Sequence, residues 1–177
     1  MNTTSIFTLQ FMLSIVVWGV VLQTTLIPHL NRATRSQKLF WLTLPHAFRH
    51  IGLAFLVPSL NAGALDAGFA TSAAYGDLAA GSLALLALLA LKANLKGTIP
   101  LVWTFNTVGT IDLLYALSHE RVIEEFGATW FIPTFLVPLL LVTHAHIFIT
   151  LVRRTAGSTN HTRQRGNHTP LSPPLQA

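Results

Sequence analysis

The chain has 177 residues, of which 51% are hydrophobic, and its mean hydropathy is +0.55. Asp, Glu, Lys and Arg make up only 10% of it, against about 25% in ordinary soluble domains, and residues 1–31 and 126–152 contain none of them. These figures exclude a soluble domain, and the absence of cysteine excludes disulfides, thiolate metal sites and a cysteine nucleophile.

Apolar stretches of membrane-spanning length recur along the chain. A helix needs about 20 residues to cross ~30 Å of hydrocarbon. Five stretches meet this requirement, namely residues 5–28, 39–60, 69–91, 100–118 and 130–152. The sequence therefore predicts an all-α, polytopic membrane protein, a bundle of five transmembrane helices within residues 1–154. Residues 155–177 are rich in Pro, Ser, Thr and Asn, which predicts a disordered cytoplasmic tail.

The distribution of basic residues predicts the orientation, because cytoplasmic loops carry an excess of Lys and Arg. The 29–38 loop, the 92–99 loop and the segment after residue 152 hold nine of the 11 basic residues, and a five-span bundle places all three on one side. We expect a plasma-membrane protein with its N-terminus outside and its C-terminus in the cytoplasm. The net charge of +5 is then explained by the basic residues that fix the orientation of the helices in the membrane. No nucleic-acid partner is expected, since no basic surface with interleaved aromatic residues is present.

The third predicted helix carries a stripe of small residues. Gly76, Ala80, Ala84 and Ala87 follow one another at helical spacing. Small residues let another helix approach closely, so we interpret the stripe as a packing seam.

Charged residues inside the predicted helices are informative, because a charge within a membrane costs free energy. Arg49 lies at the middle of the second predicted helix, ~15 Å from either face. Counted from the helix ends, Asp77 and Asp112 lie within about one helical turn of its depth. We expect Arg49 to pair with Asp112, Asp77 or both, and two ionised carboxyls would leave one negative charge uncompensated. Such a cluster is either a buried ion pair that fixes helix register or part of a proton or ion path.

Histidines form a second polar layer in the cytoplasmic half of the predicted bundle. His46 and His50 are four residues apart, which in an α-helix places both imidazoles on one face. His144 and His146 are two residues apart, so only one of them faces the bundle interior. Asn106 of the fourth predicted helix lies at a similar depth.

Four interpretations of this layer remain open. In the first, the imidazoles form hydrogen bonds with backbone carbonyls freed by nearby prolines. In the second, they hold a haem b between the second and fifth helices, with Arg49 beside a propionate. In the third they bind zinc or a di-metal centre, and in the fourth they relay protons. Of the helix-two and helix-five pairs, His46 and His144 match best in depth. The candidates for cofactor binding are His46, His50, His144 and Arg49, and those for metal binding are His46, His50 and His144. The candidates for an ion path or buried ion pair are Arg49, Asp77, Asp112 and Asn106.

The helix count, the external N-terminus and the histidines in helices two and five resemble the membrane cytochrome subunit of respiratory nitrate reductases. That family holds two haems, each by one pair of histidines. The histidine spacings here are four and two, so the resemblance implies one haem at most.

Three functions follow as hypotheses. The most specific is a haem b-binding membrane redox subunit. The second is a proton- or ion-conducting protein that uses Asp77, Asp112 and Arg49, and the third is an accessory subunit with no chemistry of its own. An enzyme is not expected, because the chain has no G-x-S-x-G, H-E-x-x-H or Walker motif. The expected partners are the lipid bilayer and either further copies of the chain or the subunits of a larger membrane complex.

The orientation can be tested with reporter fusions. A reporter joined after Arg154 should be active only on the cytoplasmic side, because the basic loops hold that side inside. The same type of reporter inserted in the 61–68 loop should be located on the outer side of the membrane. Activity of the Arg154 fusion outside would show that the helix count is wrong by one.

Overall fold

In this computed structural model the structure describes residues 2–62 and 65–164, except for the side chains of residues 120 and 154–164. Helices make up nearly all of the described part, which contains no strand. Helix α1 is Thr3–Leu30, with a π-helical stretch at Leu22–Leu26. Helix α2 is α-helical over Arg35–Thr43 and continues as a 3-10 helix over Leu44–Leu56.

Helix α3 is Ala67–Ala93 and helix α4 is Thr98–Leu117. Helix α5 begins with a 3-10 turn at Gly127–Trp130, passes through a π-helical stretch at Ile132–Leu136 and continues as the α-helix Val137–Gln164. Two shorter 3-10 segments, Pro58–Leu60 and Glu120–Glu125, lie in the connections before α3 and α5.

The all-helical prediction is confirmed, and each predicted span falls on one of the five helices. Three of them are long and apolar enough to cross a membrane, namely Thr3–Leu30, Ala67–Ala93 and Gly127–Arg153. Helices α2 and α4, which carry most of the polar candidates, are not among these three. Helix α5 continues past residue 155, where the sequence predicted the tail to begin. Residues 165–177 of that predicted tail lie outside the described residues.

Side-chain caps explain where several helices begin. The Asn2 side chain accepts from the amide of Ser5 at the start of α1. Thr34 and Gln37 form a capping box at the start of α2. The Asp66 carboxylate accepts from the Phe69 amide at 2.8 Å and begins α3. Each cap satisfies a backbone N–H that has no partner within its own helix.

Helix α2 changes its periodicity at Pro45, and this change decides which of its residues are buried. Proline removes a backbone N–H and cannot continue the α-helical hydrogen-bond pattern, and the next turns are 3-10. In a 3-10 helix residues i and i+3 lie above one another. The buried residues of this stretch follow that period of three, and they are His46, Arg49, Gly52 and Phe55.

The prediction that His46 and His50 share a buried face is therefore wrong. It assumed the α-helical period, in which positions i and i+4 are neighbours. In the 3-10 helix His50 falls on the exposed side, where its Nδ1 lies 3.1 Å from the Ala47 carbonyl oxygen.

Helix α3 packs between the 3-10 half of α2 and helix α4, whereas α5 packs against α1, α4 and the first half of α2. The small-residue stripe contributes to this packing, since Ala80, Ala84 and Ala87 are fully buried. Two apolar clusters fill the ends of the bundle. One includes Leu39, Leu91 and Leu151 near the basic connections, and the other includes Phe55, Phe69 and Phe126 at the opposite end.

Helix α1 lies at the periphery and is attached mainly to α5. Phe7 is the one buried residue of its stretch Thr3–Val21. The Trp18 indole N–H donates to the Phe135 carbonyl oxygen at 3.1 Å, and the Trp130 indole N–H donates to Gln10 Oε1 at 2.7 Å. The rest of α1 presents a row of exposed aliphatic side chains, as a lipid-facing helix would.

Candidate functional site

Arg49 is the centre of a buried ionic cluster between the two apolar clusters. Its side chain is 1% exposed. Its Nε donates to Asp77 Oδ1 at 2.7 Å, and its Nη1 donates to the Gly109 carbonyl oxygen at 3.0 Å. Its Nη2 donates to Asp112 Oδ2 and also lies 2.7 Å from Asp77 Oδ1. The guanidinium of α2 thus binds both α3 and α4.

The structure brings together three of the candidates that the sequence singled out for an ion path or ion pair. The sequence expected Arg49 to pair with Asp77, Asp112 or both, and it pairs with both. When both carboxyls are ionised, the cluster carries one negative charge in excess. The side chains of Asp77 and Asp112 keep 12% and 19% exposure, so the excess charge is not sealed off completely.

Two glycines make room for the carboxylates. A Cβ atom added to Gly52 of α2 would stand 2.7 Å from both Cβ and Cγ of Asp77. A Cβ atom added to Gly76 of α3 would stand 2.8 Å from Cγ of Asp112. Real Cβ atoms essentially never approach this closely. Each carboxylate therefore occupies the place that a side chain on the neighbouring helix would fill.

Gly109 of α4 completes the arrangement. A Cβ atom there would stand 3.0 Å from Arg49 Nη1 and 3.0 Å from His144 Nε2. Each of α2, α3 and α4 thus contributes one charged side chain, and each contributes one glycine that receives a charged side chain of a neighbouring helix. Sequence analysis treated Gly76 only as part of a packing seam and missed Gly52 and Gly109. A glycine within one helical turn of each buried charge is the signal that could have found them.

His144 and Asn106 form a pair directly beside the ionic cluster. The Asn106 Nδ2 amide donates to the backbone carbonyl oxygen of His144 at 3.3 Å, so Asn106 Oδ1 is an acceptor. His144 Nδ1 lies 2.7 Å from that oxygen and donates to it. His144 Nε2 is then unprotonated, and it has no hydrogen-bond partner among the described residues although it is buried. The pair therefore presents an unprotonated ring nitrogen close to Arg49.

His46 lies against His144 on the same side of the cluster. Its Nε2 lies 2.9 Å from Thr143 Oγ1, and its ring centroid is 4.1 Å from that of His144. The ring of Phe105 packs on both imidazoles. His46 Nδ1 is a second buried nitrogen without a hydrogen-bond partner in the described part of the chain.

The geometry of this pair does not fit a haem held between His46 and His144. Axial ligands lie on opposite faces of the macrocycle, whereas these two rings are in direct contact. Arg49 is bound by two carboxylates and a carbonyl, so it does not project toward a propionate.

The arrangement also does not fit the proposed metal ligand set of His46, His50 and His144, because His50 is exposed on the other side of α2. Within the described residues no group of three or more His, Asp or Glu side chains could hold a metal ion. His146 points away from His144, and its Nε2 lies 3.3 Å from Gln23 Nε2 of α1.

A cavity reaches the ionic cluster from the end of the bundle opposite the basic connections. Its open volume is about 50 Å³, more than the roughly 10–15 Å³ that one water molecule requires. Asp77 and Asp112 lie at one end, and His119, which sequence analysis treated as a solvated loop residue, lies in the wall. The remaining wall is apolar and includes Phe7, Phe55, Phe69 and Phe126.

The two ends of the site differ in charge and access. Asp66 and Glu125 lie in the connections at the cavity end of the bundle, where Glu125 Oε2 accepts from the Asp66 amide at 3.2 Å. Beyond the histidines the bundle is closed by apolar side chains, among them Leu42, Phe105 and Ile147, which are fully buried. The cavity thus lies on the acidic side of the cluster, and closely packed apolar side chains lie on the basic side.

Comparison with known proteins identifies the family of this chain. Residues 6–152 match the model of a family described as Domain of unknown function (DUF8737). The match covers the five helices and every residue of the ionic cluster. No curated protein and no solved structure matches the chain.

The role of the glycines can be tested by Gly52→Ala with Gly19→Ala as the control. Gly52→Ala should destabilise the protein by roughly 1–3 kcal/mol or more, because the new methyl group overlaps Asp77. Gly19 has no atom within 4 Å of its missing Cβ, so Gly19→Ala should leave stability unchanged or raise it by about 0.5–1 kcal/mol. Thermal unfolding in detergent measures both changes. Equal stability of the two variants would contradict the close packing at Gly52.

Proposed function

The chain belongs to this family of unknown function, and from the site itself we propose that it is a five-span membrane protein that takes up and conducts a proton, or another small cation, through the Arg49–Asp77–Asp112 cluster. The observation that carries the proposal is the position of two carboxyl groups, bound to one guanidinium, in the wall of a cavity. A carboxylate that is buried, paired and still reachable by water is a typical element of proton and ion paths in membranes.

Five spans are proposed although α2 and α4 are less apolar than the other three helices. Helix α4 has 20 residues, enough for ~30 Å at 1.5 Å per residue. In α2 the 13 residues of the 3-10 stretch rise about 2 Å each and lengthen the helix. His46, Arg49 and Asn106 among the polar side chains of these two helices are buried inside the bundle, whereas His50 is exposed. The outward positions of both helices carry large apolar side chains, including Trp41, Phe48, Ile111 and Leu114.

The proposed entry route is the cavity. Water in it would connect the acidic end of the protein to Asp112, whose side chain is the more exposed of the two carboxylates. Asp77 is more deeply buried and is bound to Arg49 through both Nε and Nη2. We therefore assign proton exchange to Asp112, and to Asp77 the role of holding the guanidinium in place.

The proposed route continues through His144. Its unprotonated Nε2 and Arg49 Nη1 both border the space beside Gly109. Asn106 fixes the tautomer of His144 by accepting from Nδ1, so the acceptor nitrogen remains directed toward the cluster. Further transfer would require the apolar side chains around Leu42 and Ile147 to move apart, since they close the basic end. Conduction is thus proposed to be gated at that apolar cluster.

Flux measurements on Asp112→Asn test the proposal. The full chain in vesicles with a trapped pH-sensitive dye should acidify the interior when a potassium gradient and an ionophore impose an inward driving force. Asp112→Asn should lower the flux to that of protein-free vesicles, because the amide keeps the shape of the side chain but does not exchange a proton. Glu124→Gln, which removes a carboxylate outside the cluster, should conduct. Wild-type flux equal to that of empty vesicles would contradict the proposal.

A charge swap separates conduction from a purely assembly-related role of the cluster. Arg49→Asp alone leaves like charges buried together and should reduce the yield of folded protein. Combining it with Asp112→Arg restores one positive and two negative groups. If the cluster serves assembly alone, the swap should recover the yield and Asp112→Asn should not change any flux. If it conducts, Asp112→Asn and the recovered swap variant should both carry no flux under conditions in which the wild type does.

A further inference from the structure

We infer that the cavity is a binding site for a small alkylammonium ion, with its charged head on Asp112 and its hydrocarbon chain between the phenylalanines. The inference rests on the proposed function in that it takes the same carboxylate as the site of the cation. It goes beyond that function by assigning an organic cation to the cavity.

The wall of the cavity has the chemistry of a pocket for an apolar body. Phe55, Phe69 and Phe126 come from α2, α3 and the connection before α5, and Phe7 closes the side toward α1. Their rings pack on one another with centroids 5.8–6.4 Å apart. Ligand sites are typically lined by apolar and aromatic groups with a few convergent polar groups that fix orientation.

The closed end of the cavity supplies the counter-charge. One guanidinium serves two carboxyl groups, so the cluster carries one negative charge when both are ionised. Oδ2 of Asp112 accepts from Arg49, and a carboxylate oxygen offers more than one acceptor direction. An ammonium group that enters the cavity can therefore donate to Asp112 without displacing Arg49. Asp66 and Glu125, which lie together in the connections at the cavity end of the bundle, favour the approach of a cation over that of an anion.

The volume limits the ligand to a small one. About 50 Å³ of open space admits a few water molecules or a short hydrocarbon chain, and not a polycyclic drug-sized molecule, which needs a pocket of about 300–1,000 Å³. A linear primary amine of a few carbons combines the required charge, donor groups and width. We use n-butylammonium as the probe.

The test compares n-butylammonium with n-butanol on the full chain in detergent. The two have the same hydrocarbon chain and differ in charge. Saturating n-butylammonium should raise the thermal midpoint by about 3 °C or more, because a ligand that binds only the folded state stabilises it. n-Butanol at the same concentration should not raise the thermal midpoint. Equal shifts for both would overturn the inference, since the cavity would then select only apolar bodies.

Three variants locate the binding site. Asp112→Asn removes the counter-charge and should abolish the shift. Ala116→Leu fills the wall of the cavity and leaves both carboxyls and Arg49 in place; it should also abolish the shift, so the test does not depend on the folding of Asp112→Asn. Phe48→Leu alters an exposed phenylalanine on the outer face of α2 and should keep the full shift. A shift that survives Ala116→Leu would place the amine elsewhere and overturn the inference.

Proton flux in the same preparation separates this inference from the proposed function. If wild type conducts and Asp112→Asn does not, while n-butylammonium gives no thermal shift, the amine site is wrong and the conduction proposal stands. If n-butylammonium binds in an Asp112-dependent manner and neither protein conducts, the conduction proposal is wrong and the amine site stands.

Discussion

The arrangement of the bundle depends on one buried guanidinium. Arg49 cannot remain inside an apolar bundle without partners, because the desolvation of an isolated charge costs several kcal/mol. Its three donor nitrogens are satisfied by two carboxylates and a backbone carbonyl, which belong to α3 and α4. Loss of either carboxylate would leave a buried charge underpaired. This requirement fixes the rotation and the depth of three helices relative to one another.

The 3-10 geometry of α2 makes this possible. With a period of three residues, His46, Arg49, Gly52 and Phe55 line one edge of the helix. Along that edge, the imidazole of His46 faces α5 and the guanidinium of Arg49 faces both carboxylates. Gly52 then leaves space for Asp77, and the ring of Phe55 faces the cavity. An α-helix would turn about 100° per residue and spread these four groups over a wider arc. A 13-residue 3-10 helix is unusual. We attribute its length to the contacts that its side chains make with α3 and α5.

The site is asymmetric along the bundle, and this asymmetry connects the structure to the proposed function. Toward the acidic end a cavity with phenylalanine walls ends on Asp77 and Asp112. Toward the basic end an unprotonated nitrogen of His144 is followed by closely packed aliphatic side chains. The cavity, the carboxyl groups and the unprotonated imidazole nitrogen thus follow one another along the bundle. A purely structural ion pair would need neither the cavity nor a second carboxyl group.

The sequence by itself determined the helical class, the approximate positions of the helical stretches, and the pairing of Arg49 with Asp77 and Asp112. Those conclusions rest on the length of each apolar stretch and on the depth of each charged residue within its helix. Both can be read from a single helix. Only the tertiary structure decided the 3-10 phase of α2, the exposure of His50, the contact of His46 with His144 and the places of Gly52 and Gly109. The rotation of a helix about its own axis depends on the side chains of the neighbouring helices. Pro45 indicates that the α-helix changes there, but it does not indicate how many residues adopt the 3-10 geometry. The direction in which a side chain points is therefore fixed by packing between helices.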